Sequence, residues 1–356
     1  MPAAPLRTRQ RLLRTAAIAA VLAIGAGGWM YAADRLGPAR KARQFIDAIE
    51  ASGANHAGYR RAHSHGVCAS GWFEPSAAAA GLSQAAMLRQ PSIPVVARLS
   101  VGGGSPVAAE ATARVRSLAL QLTGEDGQQW RMAMNSFPFF SMPSAQAFLE
   151  QVRAQTPDPV TGQTDAAALT ALQQRYPSAR AFAQWAATAP WTDSWATTAY
   201  NSIHAFRFTA ADGRETVLRW RFVPVASAQE MSPEQRRMAA PDYLSTELTS
   251  RLVDGPVRWE MQLQLAGPGD DPADPSVAWP EQRRWVHAGT LVLDAQQPQR
   301  GGPCEAINFD PTVLPAGIAP SSDPILAVRS AVYAQSWNRR LRETRAMTAT
   351  SQEAAP

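Results

Sequence analysis

The sequence predicts an α+β fold, with strands in successive runs and helices gathered in a separate stretch. Two turn signals, Glu125-Asp126-Gly127 and Asp212-Gly213, each separate a pair of segments with strand character, as in β-hairpins. Helical spacing of apolar residues is concentrated between residues 144 and 187. Strands and helices that are segregated in this way indicate α+β rather than alternating α/β units.

From the N-terminus onward, each element follows from its local pattern. A helix is predicted over residues 38–52 because Phe45, Ile46 and Ile49 fall on one face. Apolar, β-branched and alternating segments predict strands over residues 66–73, 94–101, 117–123, 130–134, 204–208, 216–223, 257–265 and 289–293. Further helices are predicted over residues 144–153, 165–175 and 178–187. Repeated Asp-Pro steps predict a loop over residues 267–278.

Length and charge exclude some classes of protein. At 356 residues the chain is long enough for one large domain or two, with a substantial core. Since 46% of its residues are hydrophobic, the bulk of the chain is not disordered. Residues 1–44 hold eight basic residues and one acidic residue, which is a net charge of +7. Since the whole chain carries +5, the remaining residues carry −2. No basic face is left for a polyanion, which argues against nucleic acid as a partner.

The N-terminus has the pattern of a membrane or export segment. Residues 1–14 are basic, and residues 15–33 form an uncharged run just long enough to span a bilayer. We expect an anchor, followed by a linker over residues 34–44, that holds the protein on the periplasmic side of the inner membrane. The alternative is a signal segment cleaved near Ala32-Ala33, which releases the protein into the periplasm.

The cysteines and clustered histidines do not predict a metal site made from side chains alone. Cys68 and Cys304 are too few for a disulfide framework, and the sequence leaves open whether they pair. We expect both to be small buried apolar residues. His63 and His65 form a His-x-His pair without further ligands, so His65 is expected to be structural.

Two short segments, far apart in the sequence, carry the chemistry. The first, Arg60-Arg61-Ala62-His63-Ser64-His65-Gly66, places a histidine three residues after an arginine. The second contains Arg329 and Tyr333, whose i, i+4 spacing puts both side chains on one face of a helix. An arginine beside a phenol favours the phenolate, which is a hard anionic ligand for ferric haem iron. A histidine on the other side of a haem can move a proton between the two oxygens of a peroxide.

These residues resemble those of the haem catalases. The first segment resembles the family's distal Arg-x-x-His-x-x-Gly motif, with Arg60, His63 and Gly66 in the matching positions. Three more stretches resemble family motifs in the same order along the chain: residues 95–100, residues 135–140 and the run from Phe309 to Tyr333. The resemblance covers most of the chain, and four motifs in the correct order are far more specific than one.

The resemblance implies a fold and a cofactor. The fold is an antiparallel eight-stranded β-barrel with helices packed around it, over residues 45–343, followed by a disordered tail over residues 344–356. The cofactor is haem b, with Tyr333 as the axial ligand of the iron. His63 is implied to be the distal acid and base, and Asn135 is implied to donate a hydrogen bond to the peroxide from its amide nitrogen.

The resemblance also implies which residues surround the haem. Ser100 is expected to hydrogen-bond His63 and fix its tautomer. Phe140 is expected to pack on the haem, and Arg329 to support Tyr333. Arginines that match family positions are expected to neutralise the haem propionates: Arg60, Arg98 and Arg340.

Departures from the family bear on the activity. We expect no extended C-terminal domain, and Arg114 stands where the resemblance implies an acidic residue along the peroxide access route. The stretch Asp271–Pro280 resembles the minimal, exported catalase-related peroxidases. We therefore expect a haem-dependent peroxidase that reduces organic peroxides and hydrogen peroxide with a small electron donor.

Two alternatives remain at this point. One is a true catalase that dismutates hydrogen peroxide, and the other is a haem-binding protein that processes lipid hydroperoxides without turnover. The natural donor and the oligomeric state, monomer or small homo-oligomer, stay open.

Overall fold

The computed structural model describes residues 8–32 and 38–353. Its α-helices are α1 (Thr8–Ala32), α2 (Pro38–Ile49), α3 (Ala77–Leu82), α4 (Ala145–Ala154), α5 (Ala166–Arg175), α6 (Pro177–Thr188), α7 (Pro233–Met238), α8 (Tyr243–Asp254) and α9 (Pro324–Glu353). Its strands are β1 (Gly66–Pro75), β2 (Ile93–Val101), β3 (Arg116–Thr123), β4 (Gln129–Asn135), β5 (Tyr200–Asn201), β6 (Phe206–Thr209), β7 (Glu215–Pro224), β8 (Val257–Leu265), β9 (Trp285–Pro298) and β10 (Ile318–Pro320).

Eight of these strands close into an antiparallel barrel. Their order around the barrel is β7-β5-β4-β3-β2-β1-β9-β8, and β8 returns to pair with β7. Outside this ring, β6 pairs with β7 and with the short strand β10. The structure therefore confirms the α+β class and the eight-stranded antiparallel barrel.

Apolar side chains fill the interior of the barrel. Alternate residues of a strand point to opposite faces, so Leu118 and Leu120 of β3 are fully buried inside while Ser117 faces outward. Aromatic rings interlock across the interior, as in the edge-to-face pair Trp130–Trp220, whose ring centroids are 5.4 Å apart. The barrel is thus a packed core, and its outward-facing residues are the ones available for a site.

Helices α2 and α9 pack against each other outside the barrel. Arg339 on α9 forms ion pairs with Asp47 on α2 and with Glu50, the residue after that helix, at 2.5 and 2.6 Å. Arg61, which is 2% exposed, pairs with the same Glu50 at 2.6 Å and with Glu343 on α9. This network ties both helices to the segment that precedes β1.

The N-terminal helix α1 contains most of the uncharged run. Across residues 8–32 and 38–353, no helix is both long and apolar enough to cross a bilayer, so the predicted transmembrane segment is unconfirmed. The end of the uncharged run and the start of the predicted linker lie in residues 33–37, outside the described residues, and α2 begins at Pro38 within that linker.

The C-terminal helix α9 continues to Glu353, through most of the predicted disordered tail. This stretch has no Gly or Pro to stop a helix, and its Ala, Arg, Met, Gln and Glu residues favour one. Residues 354–356 of that tail lie outside the described residues.

A disulfide joins Cys68 on β1 to Cys304 in the segment after β9, with their Cα atoms 5.3 Å apart. Both residues are fully buried, as expected, but they are paired rather than separate thiols. Gly302 is needed beside the bridge, because a Cβ there would lie 2.2 Å from the carbonyl oxygen of Pro298. The bridge fixes this segment to the first strand of the barrel.

Candidate active site

A cavity lies between the outer face of the barrel and helices α2 and α9. It contains about 820 Å³ of space, part of it continuous with solvent. Strands β2 to β4 form one wall, and Ile46 and Ile49 of α2 face it together with residues of α9. With the exception of Phe140, the predicted site residues line this one cavity: Arg60, His63, Arg98, Ser100, Asn135, Arg329, Tyr333 and Arg340.

Strand register places a row of small polar residues on the wall formed by the sheet. Gly66, Ser100, Ser117, Asn135 and Asn201 are successive Cα partners on β1, β2, β3, β4 and β5. Directly paired residues of antiparallel strands point to the same face. The first residue of the row is a glycine, Gly66. A Cβ at this position would lie 2.7 Å from the Cβ of Ser100. The glycine of the distal motif therefore has a steric role.

His63 lies at the end of this row, in the segment before β1. Its φ of 54° is unusual for a residue other than glycine. The guanidinium of Arg98 holds the turn, because it donates hydrogen bonds to the carbonyl oxygens of His63 and Ser64. Burial lowers the pKa of His63 to about 4, with further lowering by the charges of Arg98 and Arg329 and an opposing backbone hydrogen bond at Val101. The imidazole is therefore neutral at physiological pH and available as a base.

The hydroxyl that contacts His63 belongs to Ser117, not to the predicted Ser100. Ser117 Oγ lies 3.0 Å from His63 Nδ1 and donates a hydrogen bond to Asn135 Oδ1. Asn201 Nδ2 donates to the backbone carbonyl of Asn135 at 3.4 Å, on the other side of β4. Ser100 lines the cavity from the neighbouring strand.

Tyr333 faces the cavity from α9. Arg329, one turn earlier, donates a hydrogen bond from Nη2 to Tyr333 Oη at 3.0 Å, and its guanidinium lies 5.5 Å from the centre of the phenol ring. The guanidinium thus donates directly to the phenol oxygen. The i, i+4 pairing predicted from the sequence is thus present in the helix.

A buried acid–histidine pair fixes the start of α9. Asp323 Oδ1 accepts hydrogen bonds from the backbone N–H groups of Ile325 and Leu326, at 2.8 and 3.3 Å, as a helix-capping residue does. Its other oxygen is hydrogen-bonded to His204 Nδ1. Burial lowers the pKa of His204 to about 4, although Asp323 opposes this shift and Arg329 adds to it. The sequence predicts His204 only as part of a strand, whereas it lies in the turn between β5 and β6, beside Ile203, whose φ is 66°.

Three arginines are grouped at the cavity: Arg98 and Arg340 are buried and Arg60 is partly buried. Arg60 donates to the carbonyl oxygens of Cys304 and Ile307, both at 2.9 Å, and Arg340 donates to that of Glu305 at 3.0 Å. Burial lowers the pKa of Arg98 to about 9 and that of Arg340 to about 10, and the pKa of Arg60 is also well below its ordinary value.

Their charges repel one another, which lowers the pKa of Arg60 and of Arg98 further. Among the described residues, no carboxylate forms an ion pair with any of the three arginines. A dianionic ligand with two carboxylates, such as haem, fits this arrangement.

Other residues singled out from the sequence lie elsewhere. The Phe140 ring packs against Phe148 and His204, with centroids 5.0 and 6.3 Å apart. His65 hydrogen-bonds the buried Glu110 at 2.9 Å, which raises its pKa and agrees with a structural role. In the described ranges, no group of three His, Cys, Asp or Glu side chains can hold a metal ion.

Arg114, at the position of the family's acidic residue, caps the C-terminal end of α6. It donates to the carbonyl oxygen of Ala186 at 2.7 Å and to that of Ala189. Its guanidinium lies 4.7 Å from the ring centres of both Trp185 and Trp191. Backbone carbonyls and aromatic faces therefore surround this charge.

Comparison with known proteins gives a consistent result. A family model described as catalase matches residues 37–348. A catalase-related peroxidase of Synechococcus elongatus is 37% identical over 340 residues, which cover 95% of this chain and 99% of that protein. A catalase-related peroxidase of Mycolicibacterium paratuberculosis is 33% identical over 293 residues, which cover 82% and 92%. The structure of catalase A from Saccharomyces cerevisiae, 20% identical, superposes with a TM-score of 0.72 over 83% of this chain and 64% of that one, which bears on the fold alone.

Proposed function

Since the chain belongs to the catalase family, we propose that it is a haem-dependent peroxidase that reduces organic peroxides and hydrogen peroxide with a small electron donor. The observation that carries this proposal is the shared cavity. This cavity brings together a neutral histidine, an asparagine amide and a tyrosine that is hydrogen-bonded to an arginine. These are the groups needed to cleave a peroxide bond.

The cavity fits haem b on the chemistry of its lining. Tyr333 provides an oxygen ligand for the iron, and Arg329 stabilises negative charge on it. Arg60, Arg98 and Arg340 provide positive charge for the two propionates, and they lack carboxylate partners among the described residues. A bound haem would supply redox-active iron that accepts oxidising equivalents from the peroxide and passes them to the donor.

Two residues of the chain handle the protons. His63 accepts a proton from one peroxide oxygen, at the ring nitrogen that does not face Ser117, and delivers it to the other oxygen. Water leaves when the substrate is hydrogen peroxide, and an alcohol leaves when it is an alkyl hydroperoxide. Asn135 donates a hydrogen bond from its amide nitrogen to the peroxide, because its amide oxygen is already engaged by Ser117. Two electrons and two protons from the donor complete the reduction.

Peroxidase rather than catalase activity is favoured by the names of two relatives above 30% identity, both catalase-related peroxidases. Arg114 also favours it, since a guanidinium stands where an acidic residue is expected on the route for hydrogen peroxide.

An experiment on one purified sample separates these activities. An absorption spectrum tests for haem, and dye oxidation with an alkyl hydroperoxide is compared with oxygen release from hydrogen peroxide alone. Vigorous oxygen release with negligible dye oxidation identifies a catalase instead. A lipid hydroperoxide converted without consumption of donor identifies the third class, a hydroperoxide-processing protein.

We further propose that the enzyme works outside the cytoplasm. The basic residues 1–14 and the uncharged run 15–33 support export. The buried Cys68–Cys304 disulfide supports it as well, because disulfides are rare in the cytosol. A reporter enzyme that is active only in the periplasm, fused after Pro356, should be active in the full chain and inactive when residues 1–33 are deleted. Equal reporter activity in both fusions would contradict export by this segment.

A further inference from the structure

We infer that Ser117 is the positioning residue of the distal site, and that its single hydroxyl sets both the tautomer of His63 and the orientation of the Asn135 amide. This inference rests on the proposed function, since it concerns how the same site is prepared for a peroxide. Ser117 touches neither the iron nor the substrate in this role, and it acts through its two neighbours.

The hydroxyl of Ser117 contacts both His63 and Asn135. Ser117 Oγ lies 3.0 Å from His63 Nδ1 and is also hydrogen-bonded to Asn135 Oδ1. The residue is 7% exposed, so water does not readily substitute for either partner. The register of β3 against β4 pairs Ser117 directly with Asn135, which keeps the two side chains adjacent.

The hydroxyl of Ser117 donates one of these two hydrogen bonds and accepts the other. A serine hydroxyl has one hydrogen to donate, and an amide oxygen can only accept. The hydrogen therefore points to Asn135 Oδ1, and the hydroxyl oxygen accepts from His63 Nδ1. A neutral imidazole that carries its proton on Nδ1 has an unprotonated Nε2, which is the basic atom.

The directions of these hydrogen bonds determine which groups the site presents to a ligand. With Asn135 Oδ1 engaged by Ser117, the Nδ2 group remains to donate to a ligand, and His63 Nε2 remains to accept its proton. The reversed network would direct the amide oxygen to the ligand and place the proton of His63 on Nε2, so the asparagine would no longer donate and the histidine would no longer be a base. One hydroxyl thus couples the two catalytic side chains.

Ser100 is the natural comparison, because it occupies the same row of the sheet on the adjacent strand β2 and is the partner of Ser117 across the ladder. It also lines the cavity and is 2% exposed. The two serines therefore match in type, burial and row, and differ in the contacts of their hydroxyl groups with His63 and Asn135.

The test uses the haem-loaded enzyme and two measurements. Ser117→Ala should keep its haem content but lose about 10- to 100-fold in kcat for peroxide cleavage, since Asn135 Oδ1 loses its donor and His63 Nδ1 loses the serine hydroxyl. Cyanide is a second probe, because hydrogen cyanide gives up a proton when it binds ferric haem. Its dissociation constant, measured by spectral titration, should rise by about tenfold or more for the same reason. Ser117→Thr, which retains a hydroxyl, should recover most of both losses.

Controls separate this role from a structural one. Ser100→Ala should lose less than Ser117→Ala in both measurements. Thr123→Val, which removes a hydroxyl at the far end of β3, should match the wild type. Combining Ser117→Ala with Asn135→Ala should cost far less than the product of the single losses, because the two residues act through one hydrogen bond.

Wild-type kcat and cyanide affinity in a folded, haem-loaded Ser117→Ala variant would overturn the inference. A larger loss in Ser100→Ala than in Ser117→Ala would also overturn it. A wild-type enzyme without peroxide cleavage would refute the proposed function, whereas the cyanide titrations would still decide the role of Ser117.

Discussion

Replacing both Cys68 and Cys304 by alanine should destabilise the protein strongly. The bridge joins residues separated by 236 positions, so it removes a large amount of chain entropy from the unfolded state. The loop-closure relation for this separation gives about 5.5 kcal/mol, slightly above the usual range for disulfides. With an m-value of about 3 kcal/mol/M in urea, the unfolding midpoint should fall by about 1.8 M.

Urea titrations followed by circular dichroism measure this shift, with mass spectrometry to confirm the bridge in the wild type. Wild-type protein unfolded in the presence of a reducing agent should approach the midpoint of the double variant, because its unfolded state is then no longer cross-linked. The variant should also release haem at lower urea, since the Cys304 and Ile307 carbonyls that hold Arg60 lose their attachment to β1. Identical midpoints for the bridged and unbridged proteins would refute the entropic reasoning.

Three other outcomes are expected. Tyr333→Phe removes the oxygen ligand and should lose haem or change its ligation; an unchanged ferric absorption spectrum would remove this assignment. His63→Ala should retain haem but lose about 10²- to 10⁴-fold in the rate of peroxide cleavage. Asn135→Ala should lose less, the equivalent of one hydrogen bond or about 1–3 kcal/mol. Wild-type rates in His63→Ala would exclude the proposed mechanism. Because the pKa of His63 is lowered to about 4, the base is neutral above that pH and protonated below it. The rate of peroxide cleavage should therefore be flat from neutral pH down to about 5 and fall reversibly below about 4, and a decline centred near pH 6.5 would contradict this.

Most of the helices and strands predicted from the sequence were predicted from local patterns. The two hairpins were predictable because a turn residue with its preferred backbone, such as Gly127 at a φ of 76° or Gly213 at 83°, lies between alternating segments. Helix α8 was not predicted, although Leu244 and Leu248, both fully buried, have the i, i+4 spacing of a core-facing helix. Its many Ser and Thr residues weaken the helical signal.

The site was predictable where it depends on a motif and unpredictable where it depends on register. Arg329 and Tyr333 share one helix, so their spacing was sufficient to pair them. Ser117 could not be distinguished from Ser100 without knowing which residues of β2, β3 and β4 lie side by side. The disulfide is a similar case, because a separation of 236 residues contains no information on contact until the fold is known.

The position of the cavity outside a closed barrel has a consequence for the order of assembly. Each strand of the closed barrel is paired on both sides, and the cavity lies outside this ring, so no strand has to separate for haem to enter. What encloses the cavity on its other side is the pair α2 and α9, held by ion pairs around Glu50, Arg61 and Arg339. We therefore expect haem to be captured after the barrel has folded, when the two helices dock over the cavity.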